Sequence, residues 1–224
     1  MPLLGSAAML LSFDVVPEAV SEHDDWHTHE HLPERLSIPG FLRGTRWVAL
    51  RGEPRYAVLY EVADLATLTS PAYLERLNQP SAWTSKMMPH YRGMSRGFCL
   101  VTGSFGVGTG HVSVLLRLKP RSGSATSLRR WLLQHLLPQL PGRPGIGSGH
   151  LLESAITPQM TNEQRIRGSD ANVDWAVLVT GYREESLADF LRDVVGPLEQ
   201  QGATDVLGSM YRIDYSLTRD EFID

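Results

Sequence analysis

The chain carries one pattern twice, and this constrains its fold more than any other feature. Trp26 to His31 is followed by Pro33 and then Pro39-Gly40-Phe41; Trp131 to His135 is followed by Pro138 and then Pro144-Gly145-Ile146. Read along the sequence, the two spacings differ by a residue or two. A repeat of roughly 100 residues needs each copy to bury its apolar face against the other. Two copies account for nearly all of the 224 residues.

Alternation, turns and caps give the same order of elements in each copy. In the first, strands are expected at Met9–Val16, Phe41–Arg51, Arg55–Ala63 and Gly97–Thr102. A helix starts near Ser21 and passes Trp26, and Leu32 before Pro33 should end or kink it, because a residue preceding proline avoids the helical region. A second helix covers Ala72–Asn78 and resumes at Ala82–Met88. In the second copy, strands fall at His111–Lys119, Pro144–Glu153, Val173–Tyr182 and Val206–Leu217, with helices at Thr126–Leu137 and Ser186–Gln200. The order β-α-β-β-α-β is that of a ferredoxin-like unit. One such sheet leaves a face bare, and two can cover each other as an α+β barrel within one chain. The expected division is residues 1–103, a glycine-rich linker 104–110, and 111–224. The run Gly106-x-Gly108-x-Gly110 lacks dinucleotide-fingerprint spacing and a following helix. The loop Thr157–Asn172 has no equivalent in the first copy and is either a lid or a plain excursion.

Composition excludes several classes. Hydrophobic content is 42% and charged content 21%, ordinary for a globular chain. A net charge of −4 with no basic block argues against nucleic acid or an anionic membrane. No apolar run reaches transmembrane length, and the apolar N-terminus lacks the basic stretch of a signal peptide. The single cysteine, Cys99, lies in an apolar run and reads as an inert buried thiol; it fits a reducing cytoplasm.

The residues Asp25-Trp26, Glu30-His31-Leu32-Pro33-Glu34-Arg35 and Pro39-Gly40-Phe41 resemble the first helix and turn of EthD-like proteins of the dimeric α+β barrel superfamily. The resemblance covers the first half well and the second in outline. It implies a small-molecule cleft between helix and sheet, lined by His31. Relatives in that superfamily include cofactor-free monooxygenases, muconolactone-isomerase-like enzymes, polyketide cyclases and dehydratases, and haem-binding members. The second half keeps His135 but loses the flanking Glu and Arg, which implies one working site and one structural copy.

The expected function is that of a cofactor-independent enzyme of lyase, dehydratase, isomerase or oxygenase type. It would act on an apolar aromatic or polyketide-like molecule, as in aromatic catabolism; a non-catalytic carrier and a haem protein are the rivals. His31 is the candidate acid–base or oxyanion residue, or else a helix cap, and a helix C-terminus would raise its pKa. Glu30 or Glu34 would orient it. Trp26, Trp47, Tyr60 and Trp83 are the expected aromatic lining. Arg43 and Arg46 point to opposite faces of their strand, and a buried one needs a carboxylate such as Asp14 or Glu61. His23, His27 and His31 share one helix face. Two could ligate a metal with help from Glu30, Glu34 or His90, but no known metal motif is present, and His23 and His27 read as a solvated face. His29 reads as surface. His135 and His150 are the candidate haem ligands, without a haem motif. No cofactor or metal is expected, and the barrel is either monomeric or a homodimer.

Overall fold

The computed structural model describes residues 3–156, 160–168 and 170–221. The end of the acidic tail, residues 222–224, and residues 157–159 and 169 of the long loop lie outside the described residues.

Each half supplies four strands, in the order expected from the sequence. They are β1 (Ala7–Val15), β2 (Phe41–Arg51), β3 (Tyr56–Val62) and β4 (Tyr91–Gly106), then β5 (Val112–Pro120), β6 (Ile146–Ile156), β8 (Trp175–Gly181) and β9 (Ala203–Thr218); a two-residue strand β7 (Ala171–Asn172) adds to the edge of β4. The eight long strands run β1-β3-β2-β9-β5-β8-β6-β4 and close through the β1–β4 pairing into an antiparallel barrel. The fold is mixed α+β, two ferredoxin-like repeats closing one barrel within the chain.

Two strands join the repeats. β4 pairs with β1 over its first part and with β6 over its second. β9 does the same with β5 and then β2. Each is 16 residues long because it serves two partners. β4 therefore outruns its apolar centre and takes in the start of the glycine-rich stretch. At Gly106 (φ +94°) a side chain would collide with the Gly147 carbonyl.

Burial divides into three bodies. One lies inside the barrel and includes Leu10, Trp47, Leu59, Cys99, Leu152 and Tyr211. The other two lie outside it, each between one half's strands and its own helices. No helix among the described residues is long and apolar enough to cross a membrane.

The first helix does not end at Leu32. It runs as α1 (Val20–Trp26), widens into a π turn at His27–His31, and continues as α2 (Leu32–Ser37). Pro33 has no N–H to give the carbonyl one α turn back. The wider π turn accommodates that loss: the Leu32 N–H bonds to the His27 carbonyl, and Pro33 enters the first turn of α2, where its missing donor costs little. The second half repeats the device, with α5 (Ala125–Trp131) and a π turn at Leu132–Leu136 before Pro138.

The two π turns fix the register of the repeat. His27 matches Leu132 and His31 matches Leu136, a constant offset of 105 residues. The same offset pairs Trp26 with Trp131, Pro33 with Pro138 and Gly40 with Gly145. The spacings are thus identical, not a residue or two apart. His135 matches Glu30, not His31.

Candidate functional site

The histidines at i, i+4 and i+8 of the first helix do not face solvent. His23, His27 and His31 are 0%, 2% and 8% exposed. Their rings form a ladder with centroids 5.5 Å apart at each step. The repeat register matches them with Leu128, Leu132 and Leu136, which are 0%, 0% and 8% exposed, and matches buried Arg35 with buried Leu140. The second copy thus fills the same places with leucine. Burying polar groups is costly unless they are bonded, and Nδ1 of both His27 and His31 lacks a hydrogen-bond partner. Packing does not require imidazoles here.

His27 and His31 line a cavity between the helix and the outer face of the first half's strands. Its other walls include Tyr60, Tyr73, Tyr91 and Met88. The volume is about 30 Å³, room for little more than a water or two. The roof is the short helix α6 (Asn162–Arg167) from the loop that breaks the repeat. Glu163 receives a 2.6 Å hydrogen bond from Arg35, and Gln164 accepts one of 2.9 Å from Arg96. Asp170 lies 3.0 Å from Arg96 and 2.6 Å from Arg167. Glu163 is buried while Ile166 is exposed, so α6 has an inner and an outer face.

Electrostatics set the protonation of the ladder. Burial, reinforced by the charge of Arg35, holds His31 well below the ordinary imidazole pKa. Burial and the neighbouring His23 do the same to His27. The expectation of a raised pKa for His31 fails because the helix continues past it, so no helix C-terminus faces the ring. At neutral pH the cavity therefore presents uncharged imidazoles, which accept protons. The phenols of Tyr60 and Tyr91 are pushed upward by burial and stay protonated.

The other sequence-selected residues divide between this cavity and elsewhere. Tyr60 lines it, and its hydroxyl lies 3.4 Å from His27 Nε2. Trp26 is buried behind it and packs on His31 at 4.4 Å between centroids. Glu34 lies at the helix end, 3.9 Å from His31 Nδ1 and 3.4 Å from Arg35; burial raises its pKa. Glu30 turns away from the cavity. It accepts from the Trp26 indole and from Ser81 and Thr84 beside the helix α4 (Ala82–Met87). Trp83 is also outside and donates to Glu22. Arg43 and Arg46 point to opposite faces, as strand alternation requires: Arg43 reaches Glu61 at 2.6 Å, while Arg46 bonds Asp214, the Asp24 carbonyl and the Thr28 hydroxyl. Trp47 lies inside the barrel, away from the histidines.

Among the described residues, no group of three His, Cys, Asp or Glu side chains converges as a metal site requires. His150 does not fit an axial haem ligand, since Ser104 and Ser148 engage its two ring nitrogens inside the barrel. His135 is exposed on a surface groove of about 320 Å³. Cys99 is buried, and its thiol is pushed up to about 12. The sequence reading missed His27, Arg35, Tyr91, Arg96 and Glu163. Exact registration of the repeat was the signal for the first two; the others come from β4 and the lid.

No protein-family model matches the sequence, and no curated protein matches it. The fold does have counterparts among solved structures. An anthrone oxidase-like protein superposes with a TM-score of 0.72 at 10% identity, covering 99% of this chain and 98% of its own. A provisionally named monooxygenase from Fusobacterium nucleatum gives 0.61 at 7% identity, with 96% of each chain covered. Another from Lactobacillus acidophilus gives 0.56 at 10% identity, covering 95% of this chain and 96% of its own. At these identities the likeness is one of fold: this chain is an α+β barrel of the ferredoxin-like kind.

Proposed function

We propose that the chain is a cofactor-independent oxygenase acting on an apolar aromatic or polyketide-like molecule held in the cavity beside His31, and that it belongs with the EthD-like proteins. The observation that carries this is the exchange of leucine for histidine between the two copies. The first copy keeps neutral imidazoles at places where the second keeps apolar core, and His27 and His31 each carry an unbonded nitrogen. The fold it shares with an anthrone oxidase-like protein supports the choice of substrate class.

The chemistry follows from the groups present. A ring such as anthrone carries an acidic C–H, and the neutral His31 accepts that proton. The resulting carbanion is electron-rich and passes its electrons to dioxygen. Forming the new C=O from a CH₂ group with one O₂ releases one water, so atoms and electrons balance. Closure over the cavity strengthens each electrostatic contact and keeps water from the carbanion. A polycyclic ring does not fit into about 30 Å³, so α6 lifts to admit it and the Arg35–Glu163 contact re-forms over it.

Oxygen consumption with anthrone as substrate tests the reading. The native chain consumes O₂ and yields the quinone, and His31→Gln lowers the rate by about a hundredfold or more. Undiminished turnover in His31→Gln would sink His31 as the base. Binding without turnover in the native chain would make this a carrier.

A further inference from the structure

The cavity meets a second constellation, through Tyr91 in its wall, that has no part in the chemistry given above. His23 Nδ1 lies 3.1 Å from Asp24 Oδ1, and His23 Nε2 lies 3.2 Å from the Tyr91 hydroxyl. His23 is fully buried, Tyr91 lines the cavity, and the Asp24 side chain is 33% exposed. Carboxylate, imidazole and phenol thus stand in line from the surface to the cavity.

We propose that Asp24, His23 and Tyr91 form a proton-relay triad in which Tyr91 binds a phenolic hydroxyl of the substrate and takes its proton, so that the substrate class is a hydroxylated aromatic. This rests on the cavity being the substrate site.

The tautomer follows from the donor inventory. An ionised carboxylate only accepts, so the His23 proton sits on Nδ1 toward Asp24 and leaves Nε2 as an acceptor. The Tyr91 hydroxyl then donates to Nε2, and its oxygen is free to accept from the cavity. A phenolic hydroxyl placed there donates to Tyr91. As the substrate gives an electron to dioxygen its hydroxyl becomes strongly acidic. Its proton passes to the Tyr91 oxygen while the Tyr91 proton passes to His23 Nε2. The imidazolium formed faces the Asp24 carboxylate, which stabilises it. When the product oxygen regains its proton, the two transfers reverse, so the triad gains and loses nothing over a turnover. Tyr91 touches substrate and is the catalytic residue; His23 and Asp24 act through it.

Other contacts hold the array in place. The Tyr56 hydroxyl also donates to Asp24 Oδ1 at 2.8 Å, and Arg46 bonds the Asp24 carbonyl. The groups facing His23 are Asp24 and His27 of its own helix, Tyr56 of β3, Tyr91 of β4, Arg46 of β2 and Asp214 of β9. Burial outweighs Asp24 and keeps His23 below the ordinary imidazole value, hence unprotonated and ready to accept. In the repeat register His23 matches buried Leu128, and Asp24 matches Arg129, which pairs instead with Glu153. The fold does not need the triad.

Two substrates separate the triad from a structural role: anthrone, and dithranol, an anthrone with two phenolic hydroxyls. His23→Gln, Asp24→Asn and Tyr91→Phe should each lower the dithranol-to-anthrone ratio of turnover by about tenfold or more, whereas damage to folding lowers both rates together and leaves the ratio. Asp24→Asn, at a one-third-exposed position, serves if the buried variants do not fold. An unchanged ratio in all soluble variants, with His31→Gln still inactive on both substrates, overturns the triad and spares the cavity reading. A native chain that turns over neither substrate overturns both.

Discussion

His31→Leu should make the protein more stable while removing its activity. The second repeat has already made this exchange, with Leu136 at the same 8% exposure. In the native chain His31 Nδ1 is buried without a partner, and an unsatisfied buried polar atom costs about 1–3 kcal/mol. Leucine removes that cost. It also loses the ring contact with Trp26, 4.4 Å between centroids, and such a pair contributes about 0.5–1.5 kcal/mol. At the middle of the two ranges the net gain is about 1 kcal/mol, which for a chain of this size raises Tm by roughly 2–4 °C. Thermal unfolding followed by circular dichroism, at a pH above the imidazole range, reads this directly, with oxygen consumption on the same samples. A fall in Tm of more than about 2 °C would refute the reasoning. It would mean that the imidazole is there for packing, and that its leucine counterpart says nothing about function.

Other outcomes follow from the same contacts. The folded pKa values of His23, His27, His31 and His150 all lie below the unfolded value of 6.5, His150 at about 4. The unfolded chain therefore binds more protons below 6.5, so the stability these neutral groups contribute is complete above that pH and drains away as pH falls through the folded values. His150 alone accounts for about 3 kcal/mol between pH 6.5 and 4. Urea midpoints that stay flat across that window would contradict it. Glu163→Ala leaves Arg35, 1% exposed, with only the longer contact to Glu34. Breaking such a buried pair costs about 3–5 kcal/mol. The amides of Asn162–Arg167 should exchange with solvent markedly faster in this variant, and unaltered exchange would show that Glu163 does not hold the lid.

The order of elements was legible because its signals are local. Alternation marks Phe41–Arg51 as a strand, and structure and sequence agree on both its ends. The helix expected at Ala72–Asn78 is α3 (Pro71–Asn78), which the Ser70 side chain caps by accepting from the Tyr73 N–H. Failures came where two elements share one residue's fate. Leu32 before Pro33 reads as a helix end, yet a π turn carries the helix through, because the packed strands below reward a continuous helix. β4 was cut short because Arg92, Gly93 and Ser95 break its apolar run, while its pairing with β1 needs only backbone.

Sequence alone determined the two-fold repeat, the barrel that follows from it, and the helix face shared by His23, His27 and His31. Spacing along a helix fixes which residues share a face. It does not fix what lies against that face, and three polar residues on one stripe therefore read as solvated. Tertiary structure decided that. Tyr56, Tyr60 and Tyr91 come from strands 30 or more positions away to meet the three rings, and α6 arrives from the other half of the chain to close Arg35 beneath it. Burial is a property of what the whole chain brings to one place. It turns a row of ordinary histidines into neutral proton acceptors.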